Sequence, residues 1–432
     1  MITKLAFRNL FRNRWRSLLT IGGVAAAVVV LVWVNAFTEG MMTQMIRGAT
    51  TLETGQVQIQ TKAYAAEPKI WYSFPAGEEL YERVARIEGV EGVEPRVEIS
   101  GLAGTDERSK VTRFVGIDAR RSTGLKEAVV EGEWLSETPP PTSEKREAVI
   151  GVDLAGEIGV EVGDEVVALA SGQDGSLGND LYTVVGLVNA GNTTIDQRTT
   201  FLHLEDAQFL AAMEGEIHEL MIRSTPIRGA EQTAEEIEPV ARDWQTEQMA
   251  GATSFVDGEE RETSLVVRPW QDLMPTLADY VKLSGSSMGF VYVVLYFLAA
   301  LGILNTQRMS ALERRREFGV LQAVGMTPGR LFATVLWETT LLTLIGAVVG
   351  AVLGTALNVY LAEYGMNMGL FVEQDSFTFM GVAVSMRIYP TVTWAGTLTP
   401  IGAILPVAFL CGLWPALSSA RLNPAKAISK RD

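Results

Sequence analysis

Four stretches of this 432-residue chain are long and apolar enough to cross a bilayer, and they constrain the fold more than any other feature. Crossing about 30 Å of hydrocarbon takes roughly 20 apolar residues in a helix. Residues 18–37, 288–304, 331–362 and 398–417 meet that need. The third run carries one charge, Glu338, near its start; the fourth contains Pro400, Pro406 and Pro415, which membrane helices tolerate better than soluble ones. The segment 377–386 is too short to span and leads into Arg387 and Pro390, so extended structure is expected there.

Charge gives these spans an orientation. Residues 1–17 hold five Lys/Arg and no acid, 305–330 hold five and two, and 418–432 hold four and one. Residues 38–282 hold 21 Lys/Arg against 44 Asp/Glu, and 363–396 hold one against three. Cytoplasmic loops are enriched in Lys and Arg. Alternation across four spans puts every basic segment on one side and every acidic segment on the other. The expected organisation is a cytoplasmic interfacial segment 1–17, a first span 18–37, an extracytoplasmic (periplasmic) domain 38–282, a second span 285–305, a cytoplasmic loop 306–330, a third span 331–362, a short outer loop 363–396, a fourth span 397–417 and a cytoplasmic tail 418–432. Both termini are then cytoplasmic. The first apolar run exceeds the 7–15 residues of a signal-peptide core, which predicts a retained span.

Before that span, Leu5, Leu10, Phe11 and Trp15 fall near one helical face while Arg8, Arg12 and Arg16 recur on another. This is the pattern of a basic amphipathic helix lying on the inner membrane surface. The fold class expected is an α-helical membrane protein with four transmembrane helices plus a mixed α/β extracytoplasmic domain on a helical stalk. The stalk follows from spacing. Met41 and Met45 continue the first span at i, i+4, and Leu273 and Leu277 precede the second at the same spacing.

Within the outer domain, strands are predicted at 56–61, 111–117, 165–169, 182–188, 199–204, 219–223 and 264–267, helices at 78–87 and 230–244, and loops at 139–141 and 172–179.

Chemistry is sparse. The single cysteine, Cys411, excludes a disulfide within the chain, and two histidines, His203 and His218, stand without a ligand grouping. Neither a catalytic residue nor a metal ligand is assigned. A net charge of −15 argues against nucleic acid as a partner. No G-x-x-x-x-G-K-[ST] run occurs, so nothing here cradles nucleotide phosphates. Gly285–Gly289 matches G-x-S-x-G literally but lacks the strand, helix and nearby His of a hydrolase elbow; its small residues are read as helix packing. Gly346, Gly350 and Gly354 form two overlapping G-x-x-x-G units, and Gly22/Ala26 with Gly23/Ala27 a weaker small face. Glu338 is expected at the membrane interface, paired with Arg330 or Arg308.

The loop 305–330 is the most specific segment. It reads as a short, highly charged helix with an apolar face at Phe318, Leu321 and Val324, a Gly325 stop and Pro328 opening the next helix. Such a ridge lies flat beneath a membrane and offers a surface to a cytoplasmic partner.

Here the sequence resembles the permeases of the MacB/FtsX/LolC–LolE superfamily. Their Asn, followed by Glu-Arg-x-x-Glu-[Ile/Phe]-Gly-x-Leu-x-Ala-[Leu/Val]-Gly, matches Asn305 and then Glu313, Arg314, Glu317, Phe318, Gly319, Leu321, Ala323, Val324 and Gly325. An early Glu in the third span is matched by Glu338, and the spaced glycines by Gly346, Gly350 and Gly354. The closing Pro-Ala-x-x-x-Ala-Arg-x-x-Pro-Ala-x-Ala is matched by Pro415, Ala416, Ala420, Arg421, Pro424, Ala425 and Ala427, and the opening by Ala6 to Leu10. The outer half is similar in outline, at Val90, Val93, Pro95 and Arg96, at Gly116 to Asp118, at Val149 to Gly151 and at Val162 to Asp164.

The resemblance implies an ABC transporter permease of the inner (cytoplasmic) membrane of a bacterium, not itself an enzyme. ATP and Mg would be bound by a partner ATPase, present in two copies, and not by this chain. A second permease would complete a homo- or heterodimer among membrane lipids. Residues Glu313, Arg314, Arg315, Arg316, Glu317, Phe318, Gly319, Ala323 and Gly325 would couple the ATPase, through a helix over 311–324, to the stalk and the outer domain. Release of a lipoprotein, or export of a hydrophobic or peptide substrate, is the implied outcome. An FtsX-like mechanical signal to a cell-wall enzyme in the periplasm is the alternative.

Overall fold

The computed structural model describes residues 14–140, 145–248, 254–256, 259–261, 264–368, 376–379, 381–385 and 387–423. The expected amphipathic helix before residue 14 lies outside them, as do Pro424, Ala425 and Ala427. Two compact units result, one of Met1–Met42, Val281–Glu373 and Met386–Asp432, the other of Thr43–Tyr280 and Gln374–Ser385.

The first unit is built from helices. Among the described residues, four are long and apolar enough to cross a membrane: α1 (Arg14–Thr50), α2 (Pro275–Glu313), α4 (Pro328–Tyr364) and α5 (Trp394–Ala420); a short α3 (Arg315–Ala323) follows α2. At 1.5 Å per residue, the 37 residues of α1 and the 39 of α2 measure roughly 55–60 Å, well beyond a hydrocarbon core. Both helices run on past the apolar part into the second unit.

A shared core forms where Val24, Val28 and Val32 of α1 meet Ala347 and Ala351 of α4, Ile404 and Ala408 of α5 and Ile303 of α2. The glycine stripe of α4 makes this approach possible. A Cβ on Gly350 would lie 2.5 Å from the Ala25 carbonyl oxygen, and one on Gly346 2.8 Å from the Val24 Cβ. Without hydrophobic driving force between helices in lipid, such close backbone contact and polar ties hold a bundle. Asn358 supplies one tie, its Nδ2 donating to the Val32 carbonyl at 3.1 Å. Other small residues differ from expectation. Among the described residues, a Cβ at Gly22, Gly23, Gly285 or Gly289 meets nothing within 4 Å.

The second unit is mixed α/β. Ten strands form its main sheet: β1 (Val57–Thr61), β2 (Val90–Gly104), β3 (Ser109–Ile117), β4 (Val129–Gly132), β5 (Arg146–Gly151), β6 (Glu165–Ser171), β7 (Leu177–Val188), β8 (Thr199–His203), β9 (Glu219–Ser224) and β10 (Leu265–Pro269). One part runs β10-β1-β9-β2, all antiparallel. Helices Glu78–Ala85 and Ala230–Gln248 bury Leu80, Val84, Ile237 and Trp244. The other part closes on itself. From β2 the pairing passes to β3, β8, β5, β7 and β6, and β6 pairs back onto β2. A closed ring leaves no free edge among its members. Val115, Ile117, Val149, Val188 and Phe201 belong to one core cluster with Leu125, Trp134 and Ile195.

Three strands of the main sheet carry no clear sequence signal. β2 holds Gly92, Glu94, Pro95, Arg96 and Gly101, a poor strand composition, yet it pairs with β9, β3 and β6 along its 15 residues. Such pairing overrides local propensity. β4 and β5 were likewise unassigned. The loop expected over 172–179 is shorter, because β7 starts at Leu177 and Gly172 donates to the Ser176 carbonyl at 2.8 Å to close the turn. The segment 377–386 contains a hairpin, Ser376–Phe379 with Val382–Ser385; Met386 is outside the described residues.

Candidate functional site

The charged loop between α2 and α4 folds as one continuous piece of helical structure with a break. α2 runs unbroken to Glu313, Arg314 leaves helical geometry, and α3 resumes at Arg315. The ridge is therefore shorter than the helix expected over 311–324. Gly325 ends it with φ +105°, a left-handed conformation that favours glycine, while the Met326 amide donates back to the Leu321 carbonyl at 3.0 Å. Thr327 is extended and Pro328 opens α4, where its missing N–H costs nothing.

Arg314 anchors the ridge. Its Nη1 lies 2.8 and 2.7 Å from the two carboxylate oxygens of Glu338 on α4, and its Nε donates to Glu317 at 3.3 Å. The guanidinium also sits 4.9 Å from the centroid of Phe318. Glu338 is buried and forms an ion pair with Arg314, a residue that the sequence had not paired with it. Arg308 instead lies over Trp414 at 5.6 Å. The break at Arg314 turns the side chain back toward α4, which helical spacing does not reveal.

Beneath the ridge, Phe318 packs with Leu331, Val335 and Ala416, flanked by Met326, Phe332, Leu336 and Leu422. Gln322 Nε2 donates to the carbonyls of Ser419 and Ala420 at 3.4 and 3.3 Å, which ties α3 to the end of α5. Gly319 is buried beside Phe318.

The apolar face predicted at Phe318, Leu321 and Val324 does not exist as one surface. Phe318 is buried, while Val320, Leu321 and Val324 are exposed, Val324 at 83%. Glu313, Arg315, Arg316, Glu317 and Ala323 are exposed with them. The outcome is a ridge held from below by Arg314, Phe318 and Gln322 and presenting apolar and charged side chains on its other side. Exposed apolar groups among charges form a surface suited to a protein partner.

The predicted stalk residues are placed on both helices. Met45 and Leu277 are buried, and Met41 is partly so. Leu273 differs, because it ends a separate turn, Trp270–Leu273, and α2 begins after it at Pro275. His203 and His218 are structural. His203 Nε2 meets Glu147 at 3.1 Å; His218 accepts from the Glu98 amide at 2.9 Å through Nδ1 and meets the Ile70 carbonyl at 2.8 Å.

Residues 17–240 match the family model described as the MacB-like periplasmic core domain, and residues 289–424 match the FtsX-like permease C-terminal model. The chain belongs to the MacB/FtsX family of ABC transporter permeases. The second match contains the whole ridge with its Glu338 anchor. This permease is 22% identical over 443 aligned positions to an uncharacterized ABC transporter permease of Methanocaldococcus jannaschii, covering 99% of this chain and 97% of that one. It is 24% identical over 291 positions to the lipoprotein-releasing system transmembrane protein LolC of Xylella fastidiosa, covering 65% of this chain and 64% of LolC. The periplasmic region of MacB from Actinobacillus actinomycetemcomitans aligns over 55% of this permease and 97% of that chain, with 12% identity and a TM-score of 0.37.

Proposed function

We propose that this permease is the membrane subunit of an ABC system whose ATPase is a separate chain, and that α3 receives the ATPase movement and passes it through α1 and α2 to the outer unit. The observation that carries this reading is the ridge: its exposed Val320, Leu321 and Val324 stand among Glu313, Arg315, Arg316 and Glu317, while Arg314 fastens it to Glu338 of α4. A ridge anchored in this way transmits displacement to the helix it is fastened to.

The charge asymmetry supports a topology with both termini and the ridge in the cytoplasm and residues 38–282 outside the inner membrane. The chain holds no phosphate-cradling motif, which supports ATP and Mg being bound by the partner ATPase. Two ATPase copies and a second permease, identical or related, complete the assembly. Similarity to LolC supports lipoprotein release as the work done, with export of a hydrophobic or peptide substrate as the neighbouring possibility within the same mechanism. The test is reversal of Glu313 and Glu317 to Arg in the reconstituted complex. ATP-dependent substrate release is expected to disappear while membrane insertion and fold are kept. Normal release by the doubly reversed permease would refute the assignment of α3.

A further inference from the structure

The outer ends of α1 and α2 are joined to the sheet in different ways. At the end of α1, Thr50 Oγ1 donates to the Ile46 carbonyl at 2.8 Å and accepts from Gln56 Nε2 at 2.8 Å. Gln56 is buried and bonded on every side. Its Oε1 accepts from the Ser224 amide of β9 at 3.0 Å, its amide donates to Ile222 at 2.9 Å, and its carbonyl accepts from the Trp270 amide at 2.8 Å.

Beside it, Arg96 of β2 is 2% exposed and reaches Leu52 and Glu53, just past the last turn. Nη1 donates to the Glu53 carbonyl at 2.6 Å and Nη2 to the Leu52 carbonyl at 3.1 Å, while Nε donates to the buried Glu94 at 2.8 Å. The Glu53 carboxylate accepts from Asn192 at 3.0 Å and lies 3.5 Å from Arg113 of β3. A planar guanidinium with all three nitrogens engaged fixes position and direction together.

α2 starts differently. The turn Trp270–Leu273 ends at Met274, whose φ of −126° and ψ of 66° leave helical geometry, and α2 resumes at Pro275. Residues at element ends that leave regular geometry are where hinges absorb rotation.

We propose that Arg96 and Gln56 lock the last turns of α1 to the sheet, so that residues 43–50 move as one body with the strands while the start of α2 pivots at Met274. Arg96 and Gln56 are positioning residues; Arg96 acts through the carbonyls of Leu52 and Glu53, and Gln56 through the Thr50 hydroxyl. The inference rests on the proposed transmission through α1 and α2, and its test separates the two.

The full chain, carrying Cys411→Ser and reconstituted in phospholipid nanodiscs with its co-expressed ABC ATPase, is spin-labelled in two pairs, Arg47→Cys with Lys110→Cys and Asp279→Cys with Lys110→Cys. Electron–electron distances are measured without nucleotide and after trapping with ATP and vanadate. The Arg47 pair is expected to keep one narrow distance in both states, and the Asp279 pair to shift. The charge-balanced variant Glu94→Gln/Arg96→Met, or the milder Gln56→Met, is expected to lose the narrow Arg47 distance without nucleotide while the outer unit keeps its circular dichroism. A Arg47 pair that shifts with nucleotide as far as the Asp279 pair overturns the lock, as does a narrow Arg47 distance in both variants. If neither wild-type pair responds to ATP, transmission fails, and the nucleotide-free variants still decide the lock.

Discussion

Arg314 and Glu338 are separated by 24 positions in the chain, and one guanidinium nitrogen of the first sits within 2.8 Å of both carboxylate oxygens of the second. Both side chains are nearly buried, at 11% and 6% exposure. Their contact fastens the start of α3 to the third apolar helix of the permease.

Removing one partner of a buried pair strands the other charge. Glu338→Gln and Arg314→Met are each expected to destabilise the purified permease by about 3–5 kcal/mol. Thermal unfolding in one detergent gives the comparison. The exchange Arg314→Glu/Glu338→Arg is expected to recover part of the loss; a double variant as unstable as the sum of the singles argues that the pair contributes no coupling.

The exposed apolar side chains of α3 make a different prediction. Leu321→Asp and Val324→Asp alter surface groups, so the stability change is expected to stay within about 0.5 kcal/mol. Stimulation of the partner ATPase is expected to fall sharply. Full stimulation by Val324→Asp places the contact elsewhere on the ridge.

Gly350 sets the α1–α4 approach. A side chain there starts with a Cβ 2.5 Å from the Ala25 oxygen and 2.9 Å from the Ala25 Cα, both backbone atoms that cannot swing aside. Gly350→Val is expected to cost about 1–3 kcal/mol or to prevent assembly. The same change at Gly402, where nothing lies within 4 Å, is expected to be mild by the same thermal assay.

Glu219 of β9 gives the outer unit a pH dependence. Burial, with the nearby Glu98 carboxylate second, pushes its pKa up to about 8 from the ordinary 4.5. The folded state then holds a proton that the unfolded chain gives up. This contribution is complete below about pH 4.5, declines as pH rises through the window, and is gone above about pH 8. Denaturant titrations of the wild type and of Glu219→Gln at pH 5 and pH 8 measure it. The difference in stability between them is expected to change in favour of Glu219→Gln at the higher pH; no change would mean Glu219 ionises in the fold as it does in water.

Much of the helical half was readable because its signals are local. Apolar length marks the spans, Gly325 and Pro328 mark the end of one helix and the start of the next, and the spacing of Gly346, Gly350 and Gly354 marks one face. The ridge was harder. Phe318, Leu321 and Val324 recur at i, i+3, i+6, yet Phe318 packs against Leu331, Val335 and Ala416 while the other two are exposed. In the outer unit, β2 carries no strand signature because Glu94 and Arg96 have the composition of surface residues. They are buried together, and their charges are compensated by each other and by main-chain carbonyls 43 and 44 positions away.

Hydropathy, charge balance and helical period are properties of neighbouring residues, so the sequence by itself determined the four apolar helices, the contrast between basic and acidic segments and the charged element between α2 and α4. Which residues meet across the fold depends on contacts that no local pattern encodes. The closure of β6 onto β2, the pairing of Arg314 with Glu338, and the convergence of Thr50, Gln56, Ser224 and Trp270 were decided by tertiary structure. Each brings distant groups within hydrogen-bonding distance, or pairs distant strands, after the chain has packed.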